Sequence, residues 1–168
     1  MSQQRVQDRL QPALLDRLTD DEPLNQLESS DLRVISKARM REAVLRDLSW
    51  LFNTTQPLTD VDTAGFADAE RSVLSFGLPP LSGQTLSSID AHGLEQRVAQ
   101  AILKFEPRIL PHTLEVVALL SGSQVSHHNQ IGFKISGQVW AQPVPLELLL
   151  QTNVNLETGQ VEIRDLVR

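Results

Sequence analysis

The 168-residue chain contains no cysteine and no tyrosine, only two tryptophans, and 4% aromatic residues in all. The missing cysteine excludes a disulfide framework, a thiolate metal site and a cysteine nucleophile together, and it fits a reducing compartment. The scarcity of rings leaves poor material for a groove that would hold sugars by stacking. Positive charge is also short: 15 Lys and Arg stand against 21 Asp and Glu, for a net charge of −6. A broad electropositive surface for phosphates is therefore missing, which argues against nucleic acid as a partner. The longest apolar run, Val116 to Leu120, falls far short of the roughly 20 residues that span a bilayer. The start, Met1-Ser2-Gln3-Gln4-Arg5, leads into no apolar signal-peptide core, so the sequence predicts a cytoplasmic protein with no membrane insertion.

Chemical motifs are equally sparse. None of His92, His112, His127 and His128 has a helical partner at the spacing that puts two imidazoles on one metal. The nucleophile-elbow pattern Gly-x-Ser-x-Gly and a glycine-rich phosphate loop are both lacking. Glycoside hydrolysis requires two carboxylates about 5–10 Å apart. Glu106 with Asp47 or Asp90 is a conceivable pair, but carboxylates at helix ends are more simply read as solvated. The expectation is no catalytic residue, no cofactor and no metal.

What the chain does have is a gradient of charge. Residues 1–52 carry eight Lys/Arg and nine Asp/Glu, whereas residues 109–168 carry three and five. Dense mixed charge followed by a Val/Leu/Ile-rich final third predicts exposed helices first and a packed sheet afterwards. The length allows one compact domain with a real core. We expect residues 1–29 to form a tail with a docking segment, Leu14-Leu15-Asp16-Arg17-Leu18, and residues 30–168 to form a single domain. The leucines imply a docking surface, on the parent domain or on a partner.

The first long helix is predicted from Ser30 or Asp31, good N-caps, to Phe52, with Val34, Ala38, Val44, Leu45, Leu48, Leu51 and Phe52 as its apolar stripe. Arg41 falls inside that stripe, so it must snorkel outward or meet a carboxylate from another segment, for which Glu106 is a candidate. Phe66, Ala69, Val73 and Phe76 at helical spacing predict a short helix stopped by Gly77 and Pro79-Pro80. Ser87 and Asp90 form a capping-box pattern ahead of a helix with apolar face Leu94, Val98, Ala101, Ile102 and Phe105, closed by Pro107. From Thr113 the period becomes two. A strand at 113–121 is followed by an antiparallel meander, with Ile131, Phe133, Ile135, Val139 and Ala141 on one inner face and Leu146, Leu148, Leu150, Val154 and Leu156 on the next. The fold class is α+β, with N-terminal helices packed on one face of a small, mainly antiparallel C-terminal sheet. The apolar strand 113–121 is either interior or an edge kept open for a partner, whereas the final strand, bearing Glu162, Arg164 and Asp165, reads as a guarded edge.

Three stretches carry a resemblance: Leu14-Leu15-Asp16-Arg17-Leu18, Val44 to Thr54 with Arg46-Asp47-Leu48-Ser49-Trp50 at its centre, and Phe105-Glu106-Pro107-Arg108-Ile109. Together with Ser75-Phe76-Gly77-Leu78-Pro79, they make the chain similar to the TssE family of type VI secretion baseplate subunits, itself similar to a wedge protein of contractile phage tails. Phe52 departs from the aliphatic residue more usual there, and keeps the stripe apolar. The resemblance implies a structural subunit that links a wedge containing TssF, TssG and TssK to the first ring of the TssB–TssC sheath. It implies partner contacts at Glu106, Pro107 and Arg108 and at Leu14, Leu15 and Leu18. Some members have carried a lysozyme label, so a peptidoglycan hydrolase is the alternative.

Overall fold

The computed structural model describes residues 13–19, 36–58, 61, 65–81, 90–119, 130–141 and 144–166. Among the described residues four helices, α1 (Leu14–Leu18), α2 (Lys37–Phe52), α3 (Ala67–Arg71) and α4 (Ala91–Phe105), precede four strands, β1 (Glu115–Leu119), β2 (Gln130–Val139), β3 (Leu146–Asn155) and β4 (Val161–Asp165). The strands form one antiparallel sheet in the order β1-β2-β3-β4. This is the α+β arrangement expected from the change of period, and among the described residues no helix is long and apolar enough to cross a membrane.

The sheet follows its alternation. Ile131, Phe133, Ile135, Val139 and Ala141 are buried, as are Leu148, Leu150, Val154 and Leu156. They face Val44, Leu48, Leu51 and Phe52 of α2 and Leu94, Val98 and Ile102 of α4 in one core. Each buried aliphatic side chain of this kind contributes about 1.5–3 kcal/mol relative to exposure. The helices cover the inner face, and the outer face alternates polar residues with Val117 and Leu119. Gly159, at φ 75°, makes the tight return into β4 within the expected Glu157–Gln160 turn.

Several element ends differ from the reading of the sequence. Helix α2 begins at Lys37, because Ser36 is extended (φ −69°, ψ 156°) and its hydroxyl accepts the Arg39 N–H at 3.2 Å. Ser30, Asp31 and Val34 lie outside the described residues. The buried stripe takes in Met40 and Ala43 and leaves Ala38 exposed. Asp90, also extended, is the N-cap of α4 itself, and Ser87 lies outside the described residues. Glu106 is the C-cap, ahead of Pro107.

The segment expected as one short helix is α3 followed by a 3-10 turn, Val73–Ser75. Phe66 and Val73 are 67% and 82% exposed, so the helical spacing there marks no core face. Phe76 does pack, edge-on to Phe105 with ring centroids 5.2 Å apart. Gly77 does more than stop a helix. Its φ of +116° and the Thr54 carbonyl 2.3 Å from any added Cβ allow only glycine, and this close approach lets Leu78 exchange backbone hydrogen bonds with Thr54 and Gln56 (2.9 and 2.8 Å).

Candidate interaction site

The turn after α4 is built by Pro107, which cannot continue a helix and sends the chain back along β2. Arg108 accepts from the Trp140 N–H (2.7 Å), Leu110 donates to Gln138 (2.8 Å), and Ile109 is buried opposite Val139. A 3-10 turn, Pro111–Thr113, then interrupts the extended chain before β1, with the Thr113 hydroxyl accepting from the Gln138 N–H at 2.9 Å.

Inside this corner the charged side chains close on one another. Glu106 is only 2% exposed. Its carboxylate accepts from Arg108 Nε at 2.6 Å, from Arg108 Nη2, and from the Arg108 backbone N–H at 3.2 Å. Nη2 also donates to Asp47 Oδ2 at 2.5 Å. Burial pulls the Arg108 guanidinium down, but Glu106 and then Asp47 outweigh it and hold the group above its ordinary value. Asp47 continues the chain through Oδ1 to Arg46 Nε at 3.0 Å, and Arg46 Nη1 reaches Asp16 Oδ1 at 2.6 Å. Asp16 raises the Arg46 guanidinium in turn, and that guanidinium lies 5.2 Å from the centroid of the Trp50 ring. Arg46 Nη2 lies 2.9 Å from Asp47 Oδ1 as an ion pair, and Asp16 Oδ2 is buried without a hydrogen-bond partner among the described residues.

Asp16, Arg46, Asp47, Arg108 and Glu106 thus join three segments of the chain in alternating charge. These are the same three stretches that carried the resemblance. A five-residue helix is far too short to persist alone, and Asp16 anchors α1 to α2. Its leucines remain free on the described surface: Leu14, Leu15 and Leu18 are 71%, 43% and 73% exposed, and Trp50 is 51% exposed. The resemblance implied partner contacts at Glu106, Pro107 and Arg108. In the structure Glu106 is buried, Arg108 turns its Nε and Nη2 inward, and Pro107 is the exposed member of the three.

Arg41 meets a carboxylate rather than snorkelling, but the partner is Asp165 of β4 and not Glu106, which Arg108 occupies. Arg41 Nε and Nη2 fork onto Asp165 at 2.5 and 2.6 Å, and Nη1 donates to the Glu147 carbonyl at 2.7 Å. The Asp165 hydrogen bonds lift the guanidinium above its ordinary value. Nearby, the Asn53 amide donates to the Val161 carbonyl (3.0 Å) and accepts from its N–H (2.9 Å), closing the outer side of β4 as a strand would. Neither tie was visible beforehand, since each spans more than a hundred residues.

The arrangement has no hydrolytic geometry. Glu106 and Asp47 both bond to Arg108, so no sugar ring can come between them. Asp90 and Glu106 cap opposite ends of α4, about 24 Å apart at 1.5 Å per residue, far beyond the separation glycoside hydrolysis uses. The open hollow of about 610 Å³ beside α4 is lined by neutral residues and the cations Arg97 and Lys104. Among the described residues no group of three or more His, Asp or Glu could hold a metal. The His127–His128 pair lies outside them.

In comparison with known protein families, residues 38–144 fit the family described as baseplate wedge protein gp25. The span covers most of the chain, from α2 through β2, including Arg46, Asp47 and the Glu106–Arg108 turn, while α1, β3 and β4 lie outside it. Searches of curated proteins and of solved structures returned no significant match.

Proposed function

The chain belongs to the gp25 baseplate wedge family, and from that premise we propose that it is the structural TssE subunit of a type VI secretion baseplate, working in the cytoplasm by assembly rather than by catalysis. The family match over residues 38–144 carries this reading, because it takes in the whole relay except its N-terminal end. In the proposal the subunit joins a wedge of TssF, TssG and TssK to the first ring of the TssB–TssC sheath. Residues 1–29 are its docking tail and residues 30–168 its domain. The wedge contact is made by Leu14, Leu15 and Leu18, with Glu106, Pro107 and Arg108 forming the corner that sets their position. Exposed leucines on an anchored helix support this role, since large apolar side chains left open in a cluster fit a protein–protein contact. The sheath contact is made by strand addition at a sheet edge, a mode in which main-chain bonds supply affinity and side chains set register.

Purification of the tagged full chain with co-expressed TssF, TssG and TssK tests the wedge role. Leu14→Asp with Leu18→Asp should abolish co-purification while the melting temperature stays close to that of the parent. Retained co-purification would remove α1 from the contact. Incubation with peptidoglycan beside a lysozyme control tests the catalytic alternative: hydrolysis that vanished in Glu106→Gln, with folding unchanged, would overturn the assembly-only reading.

A further inference from the structure

An edge strand carries a row of unpaired backbone donors and acceptors, and the sheet has two such edges, β1 and β4. In an antiparallel ladder, residues alternate between pointing their backbone groups at the neighbouring strand and pointing them away. On β1 the Ala118 N–H points away from β2, because it donates to Oε1 of Glu95 at 2.7 Å. Val116, two residues earlier, faces the same way. The open row on β1 is therefore the N–H and C=O of Val116 and of Ala118, with one of the four groups taken by a side chain. Glu95 reaches it from α4, which packs on β1. Its second oxygen lies 3.2 Å from His92 Nδ1, and His92 Nε2 lies 3.0 Å from Gln96 Nε2. The Ala118 N–H, followed by His92, holds the Glu95 carboxyl below the usual carboxylate range.

We infer that Glu95 is a stand-in for the carbonyl of an absent strand, occupying the edge donor of β1 in the free subunit and releasing it when an extended segment of a sheath subunit adds to that edge. The inference rests on the strand-addition reading above and fixes which edge receives the strand. Edge β4 is the poorer receiver: both backbone groups of Val161 are taken by Asn53, whose amide also donates to Ser49, and the strand carries the charged Glu162, Arg164 and Asp165. Among the described residues edge β1 has one such tie, from the side chain of Glu95, which keeps partial access to water. Apolar side chains flank the row on both faces, Val116 and Ala118 half-buried toward the core, Val117 and Leu119 exposed on the other side. The strand that fits is apolar at alternate positions.

The test uses the full chain with Glu95→Ala and Glu95→Gln variants, amide hydrogen exchange, and purified TssB–TssC as the probe. In the free protein, Glu95→Ala should speed exchange at Ala118 about tenfold or more, whereas Glu95→Gln, which keeps an acceptor, should leave it slow. Addition of TssB–TssC should protect Val116 and Ala118, and Glu95→Ala should bind the sheath pair severalfold more tightly than the parent. Unchanged Ala118 exchange in Glu95→Ala would overturn the stand-in role whatever the sheath does. Protection at Ile163 and Asp165 with β1 unaffected would overturn the choice of edge and leave strand addition standing. Binding without protection of any strand, or no binding by the parent protein, would bring down the strand-addition reading itself and this inference with it.

Discussion

The two edges of the sheet are closed by different chemistry. At β4, the amide of Asn53, the C-cap of α2, bonds both backbone groups of Val161, and the Arg41 guanidinium of α2, whose Val44 and Leu48 are fully buried, forks onto the Asp165 carboxylate. At β1, a single carboxylate on α4 takes a single N–H. The first closure is redundant and bound into the core, so opening it disturbs the helix behind it. The second is a single hydrogen bond from one side chain. A sheet built this way has one edge tied at several points to α2 and its C-cap and one tied at a single point to α4.

The contrast can be broken by weakening the more heavily tied side. The largest loss is expected for Arg108→Ala, which leaves buried Glu106 without its cation. Removing one partner of such a pair costs about 3–5 kcal/mol, and urea denaturation should show it. The same variant should free α1, since Asp47 and Arg46 lose the charge that orders them, and protease cleavage near residues 13–19 should accelerate. Asn53→Ala comes next at about 2 kcal/mol, because it leaves a backbone donor and acceptor of buried Val161 unpaired. Arg41→Met should cost about 1–2 kcal/mol by the same denaturation measurement, less than Asn53→Ala because both Arg41 and Asp165 keep some access to water.

The contrast can also be sharpened at β1. Glu95→Ala should shift the denaturation midpoint least of the four. Acid provides a finer probe. The Glu95 carboxyl is held below its ordinary value of 4.5 by the Ala118 N–H and by His92, with Asp90 acting against them. A lowered folded-state value means the closure is complete above 4.5 and is lost as pH falls through that lower folded value. The Ala118 amide chemical shift should follow that titration, and it should stop following it in Glu95→Gln. An Ala118 shift indifferent to acid would mean that the carboxylate does not hold the edge.

Much of this architecture was legible from period alone. The inner faces of β2 and β3 and the stripe of α4 follow from alternation and from 3.6-residue spacing, because each element is long enough for its pattern to be unambiguous. The segment around Phe66 and Val73 was not, since apolar residues spaced over one or two turns fit a helix and an exposed loop equally well. The start of α2 was misplaced because several Ser and Asp residues can cap a helix, and the choice of Ser36 depends on which turn meets the core. Arg41 could be identified as a charge in need of a partner, but Asp165 lies 124 residues away and only the sheet brings it near. At the candidate site, the sequence singled out Glu106, Pro107 and Arg108 without revealing that two of them face inward. Helix capping by Glu106 and the turn at Pro107 are local effects, while the reach of Arg108 to Asp47 spans 61 residues.

The interruption at Pro111–Thr113 has a geometric consequence. Beyond it, β2 is already paired by Arg108 and Leu110, so the outward row on β1 ends at a step in the backbone. Any strand laid along that row finds about five residues of template, roughly 16–17 Å at 3.2–3.4 Å per residue. A slip of one residue would turn every inward side chain of such a strand outward. Under the strand-addition proposal the step would act as an end stop, setting the length and register of the joint with no contact to the side chains that it aligns.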